Sequence, residues 1–297
     1  MLTHQSVRLF HLPFSFMLPQ RVAAEEGYFR DEGLTVELVE RDRRDVEVKY
    51  IPAEETLTDD YDVDLYPICK WESIRRTWEM GDGRIVANGT FANLPYTVFT
   101  RPDSAIETPA DLAEVPVGVN LRTGQEYTAR KALEEHVPPD EIDLVGCGMP
   151  TDRLQALREG RVDAVTLIDP HSTLADHLGF RRLLEYDNHM GIVGSAEIDR
   201  DLLEAFLRAY GRAVDDINAD PDAFRGTYLE LLEADAAVAP DLFDEIDVDA
   251  VREEIDVPEY EVPEPADRGE LDDHLEWMQA RGLIGEDATI DDIVAPL

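Results

Sequence analysis

The chain has 297 residues, 43% of them hydrophobic and 8% aromatic, enough to bury one large or two modest α/β cores and too much for a disordered acidic tail. Asp and Glu number 66 against 27 Lys and Arg, a formal net charge of −39, and only Lys49, Lys70 and Lys131 are lysines. Acid spread this evenly disfavours nucleic acid and anionic membranes as partners, since both are held by basic patches. It implies a carboxylate-covered surface suited to high salt, because the Debye length falls to about 3 Å at 1 M.

Short apolar runs alternate with helical patterns over the first two thirds, the pattern of a mostly parallel sheet. Val7 to Pro13 reads as a strand and Pro19 to Glu26 as a helix with Gly27 near its end. Strands follow at Leu34–Val39 and Val63–Ile68. Trp71, Ile74, Arg75 and Trp78 then recur at helical spacing up to Gly81, before strands at Arg84–Ala87 and Tyr96–Thr100. Thr108-Pro109-Ala110-Asp111 carries an N-cap, a proline at N1 and an acid at N3. The next elements are strand Pro116–Asn120, helix Gly124–Glu135, strand Ile142–Cys147, helix Thr151–Arg158, strand Ala164–Ile168, a short helix near Ser172–Leu178 and strand Leu183–Glu185. Beyond Asp199, Leu203, Phe206, Leu207, Tyr210, Val214 and Ile217 form the apolar stripe of a core-packed helix. Val257 to Pro265, with three prolines, reads as an extended surface stretch, and a last helix carries Leu271, Leu275 and Met278.

Cys69 and Cys147 read as two free thiols rather than a disulfide, since nothing in their spacing demands a bridge. The N-terminus shows no basic, apolar and small-residue signal pattern, no lipid-bearing cysteine follows it, and there is no apolar run of membrane-spanning length. The expectation is therefore a cytoplasmic protein as written, or an extracellular or membrane-associated one if the N-terminus is incomplete. Metal and nucleotide motifs are missing: His-Glu-x-x-His, Cys-x-x-Cys, a P-loop and Gly-x-Ser-x-Gly do not occur, so no metal and no cofactor is expected.

Three stretches resemble a known family in their order along the chain. Ala23-Ala24-Glu25-Glu26-Gly27-Tyr28-Phe29 through Gly33-Leu34-Thr35-Val36-Glu37 resembles the opening of ABC-transporter substrate-binding proteins for sulfonates, nitrate, taurine and pyrimidine precursors. Ile106-Glu107-Thr108-Pro109-Ala110-Asp111-Leu112-Ala113, with Val117-Gly118-Val119, resembles that family's entry into its second lobe. Leu157-Arg158-Glu159-Gly160-Arg161-Val162-Asp163-Ala164-Val165 resembles the step near that lobe's end. Together they span roughly residues 7 to 215 and mark packing and turns rather than a ligand.

The resemblance implies an α/β type II periplasmic-binding-protein fold with a helical C-terminal extension. One lobe would comprise residues 1–97 plus 192–297 and the other 98–191, with hinge strands near Tyr96–Thr100 and Met190–Ser195. A small organic ligand, anionic or aromatic, would lie in the cleft beyond the strand ends. The implied partners are that ligand and an ABC permease, with the chain a monomer or weak dimer and no part of it inserted in a membrane.

The strand ends nominate the binding residues. His11 and Phe14 follow the first strand, where an aromatic can stack a planar ligand or simply fill core. Lys70 and Trp71 follow the third. Lysine is so rare in this chain that one beside a tryptophan at a strand end stands out, either to bind an anion or, deprotonated, to act as a base. Arg122, Thr123, Gly124 and Tyr127 surround a helix N-terminus, where Thr123 and Glu126 fit a capping box and the free N–H groups offer an anion site. Asp169 is also an N-cap candidate, and His171 and His189 complete the set. The favoured reading is a non-catalytic binding protein; the alternative is an enzyme on the same fold. The pyrimidine synthase of thiamin biosynthesis and certain aromatic-acid decarboxylases also resemble this family. The synthase's cysteine-rich motif is absent, and Lys70 and Tyr66 fall near its sacrificial histidine and cofactor lysine, which leaves a Lys70 and histidine pocket for decarboxylation as the enzymatic version.

Overall fold

The computed structural model describes residues 5–12, 14–40, 63–81, 83–89, 91–121, 123–187, 189–195, 198, 200–230, 232, 239–243 and 248–296; Pro13 and Arg122 lie outside them. Two sheets organise the described residues. The first has strands in the order β11-β4-β10-β3-β1-β2, formed by β1 (Gln5–His11), β2 (Leu34–Glu40), β3 (Leu65–Cys69), β4 (Gly83–Gly89), β10 (Met190–Ser195) and β11 (Glu264–Pro265). The second runs β7-β6-β8-β5-β9, from β5 (Tyr96–Thr100), β6 (Pro116–Val119), β7 (Asp143–Gly146), β8 (Ala164–Leu167) and β9 (Arg181–Tyr186).

In each sheet the strands joined by helices run parallel: β1 with β2 and β3, and β6 with β7 and β8. The strands at which the chain changes sheet run antiparallel to their neighbours: β10 against β3 and β4, and β5 against β8 and β9. The chain leaves the first sheet between β4 and β5 and returns between β9 and β10. The carboxyl end of β3 and the helix that follows β6 meet at one seam.

Most elements follow the sequence pattern. The helix Lys70–Met80 ends at Gly81, whose φ of 77° suits a residue without a Cβ. Pro109–Leu112 is a single 3-10 turn closed by the capping box of Thr108 and Asp111. The helix Arg200–Ala219 buries Leu203, Phe206, Tyr210, Val214 and Ile217 and exposes Asp201, Glu204, Asp215 and Asp216. No helix among the described residues is long and apolar enough to cross a membrane.

The Val257–Pro265 stretch is extended, with Glu259, Glu261, Val262, Glu264 and Pro265 exposed as expected. It is also pinned along the edge of the first sheet: Tyr260 bridges to Ala92, and Glu264 and Pro265 pair with Asn88 and Ala87 of β4. Tyr260 is 2% exposed, its hydroxyl donating to the Ser15 carbonyl at 2.6 Å and its backbone bonded twice to the Asn218 amide. Proline is tolerated in an edge strand because such a strand has one unpaired side, so proline content alone did not reveal burial. The helices Pro221–Tyr228, Val248–Glu254 and Ile290–Ile293 have no counterpart in the sequence reading.

Candidate functional site

At the seam, the carboxyl end of β3 meets the helix Gly124–Leu133 from the other half of the chain. The approach is so close that a Cβ on Gly124 would fall 2.0 Å from Cys69 Sγ; only glycine fits there. Thr123 caps this helix, accepting from the Gln125 N–H at 3.3 Å. The first-turn amide of Gly124 donates at 3.4 Å to Glu72 Oε2, and the other Glu72 oxygen pairs with Arg76 at 2.5 Å. A carboxylate of the protein itself therefore occupies the positive end of the helix that the sequence nominated for an anion. Tyr127 is buried, and burial pushes its phenol up to about 12.

Lys70 and Trp71 turn away from this point towards the C-terminal helix Arg268–Gln279. The Lys70 side chain is 1% exposed and its ammonium pairs with Glu270. Glu270 also accepts from Asn88 Nδ2 at 2.7 Å, and Asn88 Oδ1 accepts from the Asp267 N–H at 2.8 Å. Burial lowers the Lys70 pKa, with Glu270 opposing it. Trp71 lies 4.3 Å from the His274 ring and 4.9 Å from Trp277, and Lys131 Nζ stands 5.3 Å from its ring centroid. His189 is joined to this group by its carbonyl, which accepts from the Lys70 N–H at 2.9 Å. Its imidazole is held below its usual range by burial and then by the Lys70 charge. The sequence singled out Lys70 but not Glu270, Asn88 or His274, which lie far away along the chain.

His11 and Phe14 belong to a second group. They line a small, half-open hollow together with Ser15, Leu18, Arg21, Thr227 and Tyr228. Phe14 stacks on Phe16 at 5.4 Å. Gln20 Nε2 donates to both the Phe10 carbonyl and His11 Nδ1, at 2.8 and 2.9 Å, so Nδ1 carries no proton and the ring is the neutral Nε2–H form. Burial, reinforced by the Arg21 charge, lowers the His11 pKa to about 4. The unfolded chain protonates His11 below about pH 6.5 while the folded protein resists until about pH 4, so stability is complete above this window and is lost as pH falls through it. His11→Gln is expected to remove about 3 kcal/mol of acid sensitivity, read as the wild-type minus variant difference in urea unfolding free energy between about pH 7 and about pH 4 in high salt.

Asp169 lies one residue before the N-cap of the following helix, which is Pro170, and its Oδ1 accepts from the Thr173 N–H at 3.0 Å and from its hydroxyl at 2.9 Å. Burial raises its pKa. The Asp169 carbonyl accepts from the Ser15 hydroxyl at 3.2 Å, a contact between the two halves of the chain. His171 is fully buried, with Nε2 3.2 Å from Thr151 Oγ1. The nominated residues thus fall into separate groups rather than one ring of ligands. Both cysteines are free, and burial raises both thiols, Cys69 to about 11, which suits inert packing rather than nucleophilic chemistry.

A search of curated protein sequences finds no match. The profile described as "NMT1/THI5 like" matches residues 84–224, a little under half of the chain. Among solved structures, the alkanesulfonate-binding protein SsuA from Xanthomonas axonopodis pv. citri bound to MOPS is similar at a TM-score of 0.72, with 13% identity over 99% of each chain. The periplasmic aliphatic sulphonate binding protein SsuA from Escherichia coli is similar at 0.70, with 14% identity over 98% of this chain and 97% of that one. The desulfurization enzyme DSZB is similar at 0.59, with 16% identity over 98% and 96%. The chain has the two-sheet α/β fold of the periplasmic sulfonate-binding proteins, and its middle portion matches the NMT1/THI5-like family profile.

Proposed function

We propose that this protein binds a small organic ligand, anionic or aromatic, at the seam between its two sheets, as the receptor component of an ABC importer. The observation that carries this reading is the close approach of elements from the two sheets at the seam: Cys69 and Glu72 from one side, Gly124 from the other. Residues 1–97 plus 192–297 and residues 98–191 act as the two lobes, hinged near Tyr96–Thr100 and Met190–Ser195. When they part, Glu72 leaves the Gly124 N–H, and the helix end becomes available to an anionic group of the ligand. The similarity to the sulfonate-binding proteins supports this exchange of one anion for another. In that role the protein works outside the membrane beside a permease, and its acidic surface suits the high salt of a halophile.

Native mass spectrometry of protein purified in molar salt tests the reading. The expected result is a retained small molecule that denaturation releases, leaving the chain at its sequence mass. A covalent adduct on Lys70, or turnover of the retained molecule, would replace the binding role with the enzymatic one.

A further inference from the structure

The helix Pro150–Arg158 begins just beyond the carboxyl end of β7, and its fourth residue is Arg153. Arg153 is 2% exposed and is among the largest fully buried side chains of the described residues. A guanidinium at that depth ordinarily faces a carboxylate, because desolvating a charge without a counter-charge costs several kcal/mol. Among the described residues none pairs with Arg153. Its Nη1 donates to the Gly148 carbonyl at 2.6 Å, and its Nε has no hydrogen-bond partner. The nearby acid, Asp152, is exposed and accepts the Met149 N–H at 3.1 Å, as the start of its own helix requires.

Two phenols and a thiol lie around it. Tyr96, the first residue of β5, and Tyr186, the last of β9, are directly paired across the two strands, their rings 5.7 Å apart. They stand where the chain crosses between sheets. The Arg153 charge acts on both phenols and on the Cys147 thiol, and the Glu72 carboxylate acts on Tyr96 from the first sheet. The Tyr186 hydroxyl is itself buried, with Thr166 as the side chain that acts on it by hydrogen bonding. Burial pulls even the arginine down, to about 10. A buried cationic donor with an unpartnered Nε therefore stands at strand ends beside the hinge, where α/β sheets bind ligands.

We propose that Arg153, with the Tyr186 hydroxyl beside it, is the anion-recognising element of the seam, and that it pairs with a carboxylate, sulfonate or phosphonate group of the bound molecule. This rests on the reading of the seam as a ligand site and adds the ligand's charge and the residue that selects it. The unpartnered Nε edge offers a charge-assisted hydrogen bond to an oxyanion, which a neutral amide of the same shape does not accept equally well. Placing the cation without a built-in counter-ion makes the ligand the missing partner, and exchanges stability of the free protein for selectivity.

The test uses the full chain in molar KCl and four probe anions, ethanesulfonate, benzoate, benzenesulfonate and phenylphosphonate, beside their neutral amides. Thermal melting and calorimetric titration are run on the wild type, Arg153→Met and Arg153→Lys. At least one anion is expected to raise the wild-type melting temperature while its amide does not. Arg153→Met should weaken that anion at least about tenfold, Arg153→Lys should retain part of the effect, and free Arg153→Met should melt no lower than the wild type. The proposal is overturned if the anion effect survives in Arg153→Met, if the wild type prefers no anion over its amide, or if both variants lose stability without ligand as a disrupted core would. Binding of amide and anion alike leaves the ligand site standing and removes only the role of Arg153. Should Arg153→Met not fold, an unaltered anion preference in Arg153→Lys would equally rule out recognition by the guanidinium fork.

Discussion

Lowering KCl from about 1 M to about 0.01 M is expected to unfold most of the protein at room temperature, because the Debye length grows from about 3 Å to about 30 Å. A net charge of −39 on one chain then acts on itself across the whole molecule rather than between neighbours. The arginines neutralise part of the surface locally, as in Arg21 with Glu230 and Arg281 with Glu134, but carboxylates outnumber them more than twofold. The exposed face of the helix Arg200–Ala219 shows the pattern, with Asp201, Glu204, Asp215 and Asp216 all facing water. Circular dichroism at a series of KCl concentrations checks this, with a matched sucrose series to separate screening from preferential exclusion. A midpoint that does not move with salt would mean that self-repulsion is not a major term and would remove the halophilic reading.

The second large effect is expected at Glu270. Replacing it with glutamine leaves the Lys70 ammonium buried, its side chain 1% exposed, without its counter-charge. Breaking a buried pair from this side costs about 3 kcal/mol. The reverse change, Lys70→Met, costs less, because Glu270 is 38% exposed and can be solvated where it stands. The double variant Lys70→Met/Glu270→Gln should recover most of the loss, and the cycle isolates the coupling. The loss also depends on pH. Burial already lowers the Lys70 pKa, and removing Glu270 lowers it further. The unfolded chain then binds a proton that the folded one does not, so the stability of Glu270→Gln should climb as pH rises towards the ordinary lysine range of about 10.4. Chemical unfolding at several alkaline pH values measures this slope; a flat profile would show that Lys70 reaches solvent or another anion.

These two sites also separate what the sequence could reveal from what it could not. Element order was legible because each element carries its own periodicity: the stripe from Leu203 to Ile217, the cap at Thr108 and the glycine stop at Gly81 are all local signals. The scarcity of lysine drew attention to Lys70, and that too is visible in the bare chain. Its partner was not, since Glu270 lies 200 residues away and looks like any of the other acids. Arg153 was hidden for the same reason. It stands three and four residues before Ala156 and Leu157 on the buried face of its helix, and the packing of that helix against β8 and the helix His171–His177 takes it out of water.

Local periodicity and turn chemistry thus determined the α/β order of elements along the chain, and composition the acidic character of its surface, because these depend on neighbours in sequence. The division into two lobes was implied by the family resemblance. Which charges are buried, which are paired and which are left waiting was decided only by tertiary structure. A charge's environment is set by contacts across the whole chain. The helix end at Gly124 illustrates both: its N–H groups could be inferred from Thr123 and Gly124 alone, but that Glu72 already fills them became visible only when the two sheets met.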